Sequence, residues 1–112
     1  MSISYDEIGA LHVTVPAGTC VEGKICKVGT DGKAAAAASG DKFCGVAKVV
    51  KNGLASVQLH GFATVSYSGN APAMGITALS ADGTGGVKSD SIGRSYLIVA
   101  VDTVAKTATI EL

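Results

Sequence analysis

Apolar and polar side chains alternate most clearly between residues 54 and 67, which read LASVQLHGFATVSY. One parity is apolar or small, and its members are Ala55, Val57, Leu59, Gly61, Ala63, Val65 and Tyr67. The other parity is mostly polar, with Phe62 as a large apolar exception. Side chains alternate across a strand, so the pattern predicts a half-buried strand. Because the run exceeds the usual strand of about 5–6 residues, we expect a bend, a bulge or a corner between two strands at Gly61.

Turn dipeptides divide the rest of the chain into short apolar runs. Asn52-Gly53 is the strongest hairpin signal, because this pair suits a tight turn between two strands. Further strands are predicted within residues 11–15, 21–28, 33–38, 43–50, 74–79, 96–101 and 108–112. We therefore predict an all-β fold of about eight or nine short antiparallel strands, either a small barrel or a sandwich. Residues 1–9 are predicted to be an extended N-terminal arm and residues 10–112 a single β domain, without a visible long-period repeat.

Two segments indicate contact with another chain. Residues 52–81 contain no Asp, Glu, Lys or Arg, and the cores of protein interfaces are depleted in charge. Residues 96–101, YLIVAV, are apolar on both parities, as in a strand that is buried on both faces or covered by a partner on one of them. We predict a homo-oligomer, with a subunit interface at His60, Phe62, Thr64, Val65 and Tyr67.

Composition excludes several classes of function. The chain has 112 residues, enough to bury a core without disulfides, and its nine basic and nine acidic side chains give no net charge. Binding to nucleic acid or to an anionic membrane is therefore not indicated. No signal peptide is visible, and the alanine run of residues 34–38 is too short to span a bilayer.

Candidate chemistry is sparse. Cys20, Cys26 and Cys44 are odd in number and lack CxxC spacing, which is typical of free thiols in a reducing compartment. His12 and His60 have no catalytic motif around them, and the glycine-rich residues 83–89 depart from a phosphate-binding loop. We predict no catalytic residue, no metal site and no cofactor, and we expect the protein not to be an enzyme.

A series of turn and strand motifs covers most of the chain. In order, they are Pro16-Ala17-Gly18, a Gly-Lys-x-x-x-Val-Gly segment at residues 23–29, the alanine-rich strand, the segment SGDKFCGV at residues 39–46, and Gly61-Phe62-Ala63. This order of elements resembles the small phage capsid cement or head decoration proteins.

The resemblance implies a structural virion protein, made in the bacterial host cytoplasm. Such a protein binds the outer surface of an assembled capsid, often as a trimer, and stabilises the shell. Its partner is then the major capsid protein. The arm residues Tyr5, Asp6, Glu7 and Ile8 are the predicted capsid contact, because an extended segment can add a strand to a sheet edge of another protein.

The sequence is also compatible with two alternative functional hypotheses. The first is a different β-rich phage structural module or a carbohydrate-binding module, which would stack exposed aromatic side chains on sugars. The second is a lipoyl-type or biotinyl-type carrier domain, suggested by Ser39-Gly40-Asp41 and by Lys51 beside a hairpin turn.

Overall fold

The computed structural model describes residues 8–112, which form ten strands and no helix. The strands are β1 (Leu11–Pro16), β2 (Ile25–Val28), β3 (Ala34–Ala36), β4 (Gly45–Lys51), β5 (Leu54–His60), β6 (Phe62–Ser66), β7 (Gly75–Ala81), β8 (Val87–Ser89), β9 (Arg94–Asp102) and β10 (Thr107–Glu111). They make two antiparallel five-stranded sheets in a sandwich-like arrangement, so the all-β prediction is confirmed. The Asn52-Gly53 hairpin is also confirmed, and both residues adopt the positive φ that such a turn requires, 55° and 75°.

The two sheets have the same topology. The first has the strand order β1-β5-β4-β2-β3, and the second has β6-β10-β9-β7-β8. Counted from the start of each half, both orders are first, fifth, fourth, second, third. We call residues 11–60 the first repeat and residues 62–111 the second repeat. The sequence shows no long-period repeat, so the duplication is visible only in the strand topology.

Two irregularities recur at matching places in the repeats. Each fourth strand carries a bulge three residues before its end, at Lys48 in β4 and at Val99 in β9. A single parallel bridge also joins the end of each first strand to the start of the third. The bridges are Ala17 to Ala34 and Tyr67 to Val87. The two sheets therefore curl in the same way. A single bridge in each is not enough to close the sheet into a barrel.

Gly61 forms the corner at which the chain passes from the first sheet to the second. Its φ is 91°, and a Cβ placed there would lie 2.6 Å from the backbone nitrogen of Ala10. The side chain of Gln58 holds the two sides of the corner together, because its Nε2 donates to the carbonyls of His60 and Phe62 at 3.0 and 3.1 Å. The predicted interruption at Gly61 is thus confirmed, and it is a corner between two strands.

Each repeat has a core inside its curled sheet, and the two cores differ in the size of their side chains. Inside its own sheet, the first repeat buries a cluster of small residues, namely Cys20, Cys26, Ala34, Ala47, Ala55 and Val57. The second repeat buries larger ones, which include Tyr67, Leu79, Val87, Tyr96, Ile98 and Ile110, together with the adjoining Leu112.

The first sheet has an inner face, which lines its own core, and an outer face, which points away from that core. The outer face packs into the core of the second repeat. Ile25, Phe43 and Val46 belong to the same buried cluster as the second-repeat side chains. The Phe43 and Tyr96 rings stack with centroids 5.0 Å apart, and the Tyr96 hydroxyl donates to the Phe43 carbonyl at 3.2 Å. The contact between the repeats is therefore asymmetric, because the outer face of the first sheet packs against the inner face of the second.

We predict that Gly61→Ala destabilises the protein by about 3 kcal/mol or more. Alanine disfavours the positive φ, and its Cβ would overlap the backbone of residues 9 and 10. Gly69→Ala is the matched control, because Gly69 also has a positive φ of 75° but no atom lies within 4 Å of an added Cβ. It should cost only about 1 kcal/mol. Urea unfolding measures both losses, and equal losses would contradict a tightly packed corner.

Candidate interaction surfaces

The described end of the arm lies at the corner between the sheets. The carbonyl of Ile8 accepts a hydrogen bond from the Phe62 backbone N–H at 3.1 Å, and the Ile8 side chain is 53% exposed. Leu11, at the start of β1, is 54% exposed. Tyr5, Asp6 and Glu7, the other predicted arm contacts, lie outside the described residues. Two exposed apolar side chains therefore stand where residues 1–7 join the domain.

The five residues predicted for a subunit interface divide between the two faces of the chain. His60 and Thr64 are exposed and Phe62 is half-buried. Val65 and Tyr67 are only 5% and 6% exposed and belong to the core of the second repeat. Since neighbouring side chains of a strand point to opposite faces, one strand cannot present all five to a partner. We therefore correct the assignment of Val65 and Tyr67, whose side chains already pack within their own chain.

A row of four side chains crosses the outer face of the second sheet. Strand pairing places Glu111 opposite both Phe62 and Leu97, and Ile76 opposite Leu97. We call these four residues the outer row of the second repeat. Ile76 is 71% exposed, Glu111 is exposed, and Phe62 and Leu97 are half-buried. Three large apolar side chains thus lie beside one carboxylate on this face.

Sequence reasoning located only Phe62 of this row. Ile76 and Glu111 join it through strand pairing across the sheet, and the order of the strands could not be read from the sequence. One signal was present, because YLIVAV is apolar on both parities. The structure places Tyr96 and Ile98 of that segment in the core and Leu97 on the outer face.

Two surface cavities were not foreseen from the sequence. One, of about 330 Å³, lies between the repeats and is lined by Val21, Lys24, Ile25, Ala36, Ala37, Gly83, Thr84 and Gly85. The other, of about 290 Å³, is lined by Ser68, Gly69, Asn70, Asp82, Lys88 and Ser89.

The acidic group of the second cavity is already engaged by its own loop. Asp82 accepts hydrogen bonds from the hydroxyl of Ser68 at 2.6 Å and from the backbone of Thr84 at 2.7 Å. Burial acts to raise the pKa of Asp82, but these bonds and one from Gly86 outweigh it and hold the pKa below its ordinary value. This carboxylate therefore stabilises the turn between β7 and β8.

The three cysteines are free and lie together around the core of the first repeat, and Cys44 is less buried than the other two. Cys44 is half-buried and its Sγ lies 3.6 Å from the carbonyl oxygen of Cys26. A hydrogen bond from the Cys26 thiol lowers the pKa of Cys44 to about 7, whereas the same pairing raises the pKa of Cys26. Of these two thiols, Cys44 is thus the one that ionises first.

Residues 8–112 contain no group of three His, Cys, Asp or Glu side chains arranged to hold a metal ion. In the same part of the chain, no helix is long and apolar enough to cross a membrane. No family model matches the chain, and no match is found among curated proteins or among solved structures.

We predict that iodoacetamide labels Cys44 first, with a rate that rises with pH and reaches half its maximum near pH 7. The thiolate is the nucleophile, so the rate follows the fraction of Cys44 that is ionised above its pKa. Peptide mass spectrometry identifies the labelled residue, and Cys44→Ser should abolish the fast phase. First labelling at Cys20 or Cys26, or a midpoint near the ordinary thiol pKa of about 8.5, would contradict this assignment.

Proposed function

We propose that this protein is a structural virion protein that binds the outer surface of a bacteriophage capsid and stabilises the shell. The partner is the major capsid protein, and the protein acts without catalysis and without a cofactor. This proposal starts from the resemblance of the turn and strand motifs to capsid cement proteins.

The observation that carries the proposal is the pair of exposed apolar side chains at the base of the arm. Ile8 and Leu11 are each more than half exposed, and Ile8 is fixed to the corner of the two sheets by its hydrogen bond to Phe62. Exposed apolar side chains next to an extended segment can add contact area to an interaction site. In our proposal they form, with residues 1–7, the surface that contacts the capsid.

The alternative functions receive less support from the side chains. A carbohydrate-binding module stacks exposed aromatic rings on sugars, but Phe43, Tyr67 and Tyr96 are 2%, 6% and 4% exposed. A carrier domain needs an accessible lysine at a hairpin, and Lys51 is exposed beside the Asn52-Gly53 turn. Its neighbours Val50 and Asn52, however, are not the acidic or methionine neighbours that the modified lysine of such domains has. Intact mass after co-expression with a lipoyl or biotinyl ligase tests that second alternative, since either addition gives a discrete mass increase.

Binding to the capsid is tested by co-sedimentation with expanded, undecorated capsids of the source phage. We expect saturable binding at a fixed ratio to the capsid subunit, together with a higher temperature of shell disruption. Absence of binding to capsids at every maturation state would overturn the proposal.

The role of the arm base is tested by two variants in the same assay. Deletion of residues 2–7, and the double change Ile8→Ser with Leu11→Ser, should each weaken capsid binding at least tenfold, because both remove contact area without touching the core. The deletion ends before Gly9, since residues 9 and 10 pack against Gly61. Ile92→Ser is the matched control, because Ile92 is 81% exposed in the loop between β8 and β9. If the control weakened binding and the arm variants did not, the contact would lie elsewhere on the domain.

A further inference from the structure

The outer rows of the two repeats have equivalent positions but different surroundings. In the first sheet, strand pairing forms the row His12, Gln58, Val46 and Ile25, which matches Phe62, Glu111, Leu97 and Ile76 in the second. Gln58, Val46 and Ile25 are at most 2% exposed, because the second repeat covers them. Their counterparts Glu111 and Ile76 are exposed, and Leu97 is half-buried. Within residues 8–112, Glu111, Leu97 and Ile76 are therefore more exposed than their counterparts in the first outer row.

On the inner faces the exposure is reversed, because the second repeat is covered there and the first repeat is more exposed. In the second repeat, Ala63 and Ala81 are completely buried, because the outer row of the first repeat closes that core. By their pairing with the neighbouring strand, the counterparts in the first repeat are Val13 and Val28, which also point toward the inside of the sheet. β7 has two more residues than β2 between its outer-row residue and this position. Val13 is 38% exposed and Val28 is 47% exposed. The core of the first repeat is therefore open at the place where that of the second repeat is closed.

Residues 8–112 thus contain one contact between an outer row and an inner face, and within them the two surfaces that would make a second such contact are exposed. We propose that two copies of this chain associate head to tail, with the outer row of the second repeat in one copy packing into the open inner face of the first repeat in the next. The occupant of both surfaces is the same protein, and the new contact repeats the contact that joins the repeats within a chain.

The charges of the two repeats favour this pairing. Residues 8–61 carry six lysines against Glu22, Asp31 and Asp41, a balance of +3. Residues 62–112 carry three basic side chains against Asp82, Asp90, Asp102 and Glu111, a balance of −1. In a head-to-tail contact, the more acidic repeat of one copy meets the basic repeat of the next. Glu111 then lies against the repeat that carries the net positive charge and not against its own kind.

The contact within the chain also predicts which residues meet between chains. The backbone N–H of Ile25 donates to the carbonyl of Gly85 at 3.1 Å. Gly85 is the fourth residue of the five-residue loop between β7 and β8, and Gly32 is the fourth residue of the loop between β2 and β3. Both glycines have positive φ, 96° and 78°. Ile76 of one copy is therefore expected beside Gly32 of the next.

Head-to-tail contacts are heterologous, so they form a ring if the rotation between copies closes. A trimer would place six repeats around one ring, with contacts within and between chains in alternation. This inference concerns the free protein and does not depend on capsid binding, so either proposal can fail without the other.

The test uses two variants that each remove one of the two surfaces. Ile76→Glu disrupts the outer row and keeps the inner face, whereas Val28→Glu does the reverse. The mass of each purified variant is measured by sedimentation over a series of concentrations, alone and in an equimolar mixture. Val104→Glu is the control, because Val104 is 94% exposed in the β9–β10 turn, about 17 Å along the strand from the outer row. Val13→Glu replaces Val28→Glu if the melting curve shows that the latter fails to fold.

We expect the wild type and Val104→Glu to form the same oligomer, and each of the other variants to have the 11.1 kDa mass of one chain. The mixture should contain dimers, because the intact outer row of one variant fits the intact inner face of the other and no further copy can add. A wild type that is monomeric at every concentration would overturn the proposal. So would an Ile76→Glu variant with the wild-type mass, or a mixture without dimers.

Discussion

The structure depends on the packing of one curled sheet into another. The outer face of the first sheet, through Ile25, Phe43 and Val46, fills the inner face of the second. The stacked rings of Phe43 and Tyr96 and the hydrogen bond from Tyr96 to Phe43 fix the orientation of this contact. Without it, the second core would be open to water and the outer row of the first sheet would be exposed. The corner at Gly61 supports the same contact, because the chain turns there and so sets the angle between the two packed sheets.

The first repeat depends on this packing more than the second does, because its own core is made of small residues. Ala47 stands where the second repeat has Ile98, and Ala34 stands where it has Val87. Each buried methylene is worth about 0.8 kcal/mol, so the first core contributes several kcal/mol less than the second at these positions. The first repeat therefore gains much of its stability from the face that it buries against the second. A further partner on its open inner face would add to what its own core supplies.

The sequence predicted local structure well and failed where distant strands meet. The alternation from residue 54 to residue 67, the Asn52-Gly53 hairpin and the interruption at Gly61 are consequences of nearby residues, and all three were correct. The duplicated topology was invisible, because matching positions carry Gln58 and Glu111, or Val28 and Ala81, and only strand pairing relates them. The interface prediction failed at Val65 and Tyr67 for the same kind of reason. Lack of charge in a segment indicates burial, but it does not say whether the covering surface belongs to the same chain.

Gln58 and Glu111 occupy matching positions in the two repeats, and each suits its surroundings. Gln58 lies in an outer row that is buried, and Glu111 lies in one where it is exposed. Gln58 is fully buried, its Nε2 holds the corner, and among residues 8–112 its Oε1 has no hydrogen-bond partner. A carboxylate at that position would be buried without a cation, at a cost of several kcal/mol. Glu111 occupies the matching position in the second repeat, where it is solvated.

An exposed charge in an apolar row keeps the free sheet face soluble. It also limits the partner, since covering Glu111 requires a cation close enough to compensate the loss of water. In the head-to-tail contact that we propose, this requirement favours the first repeat of another copy, whose residues 8–61 carry a balance of +3, over an apolar or acidic surface. The same residue that protects the uncovered face thus selects what can cover it.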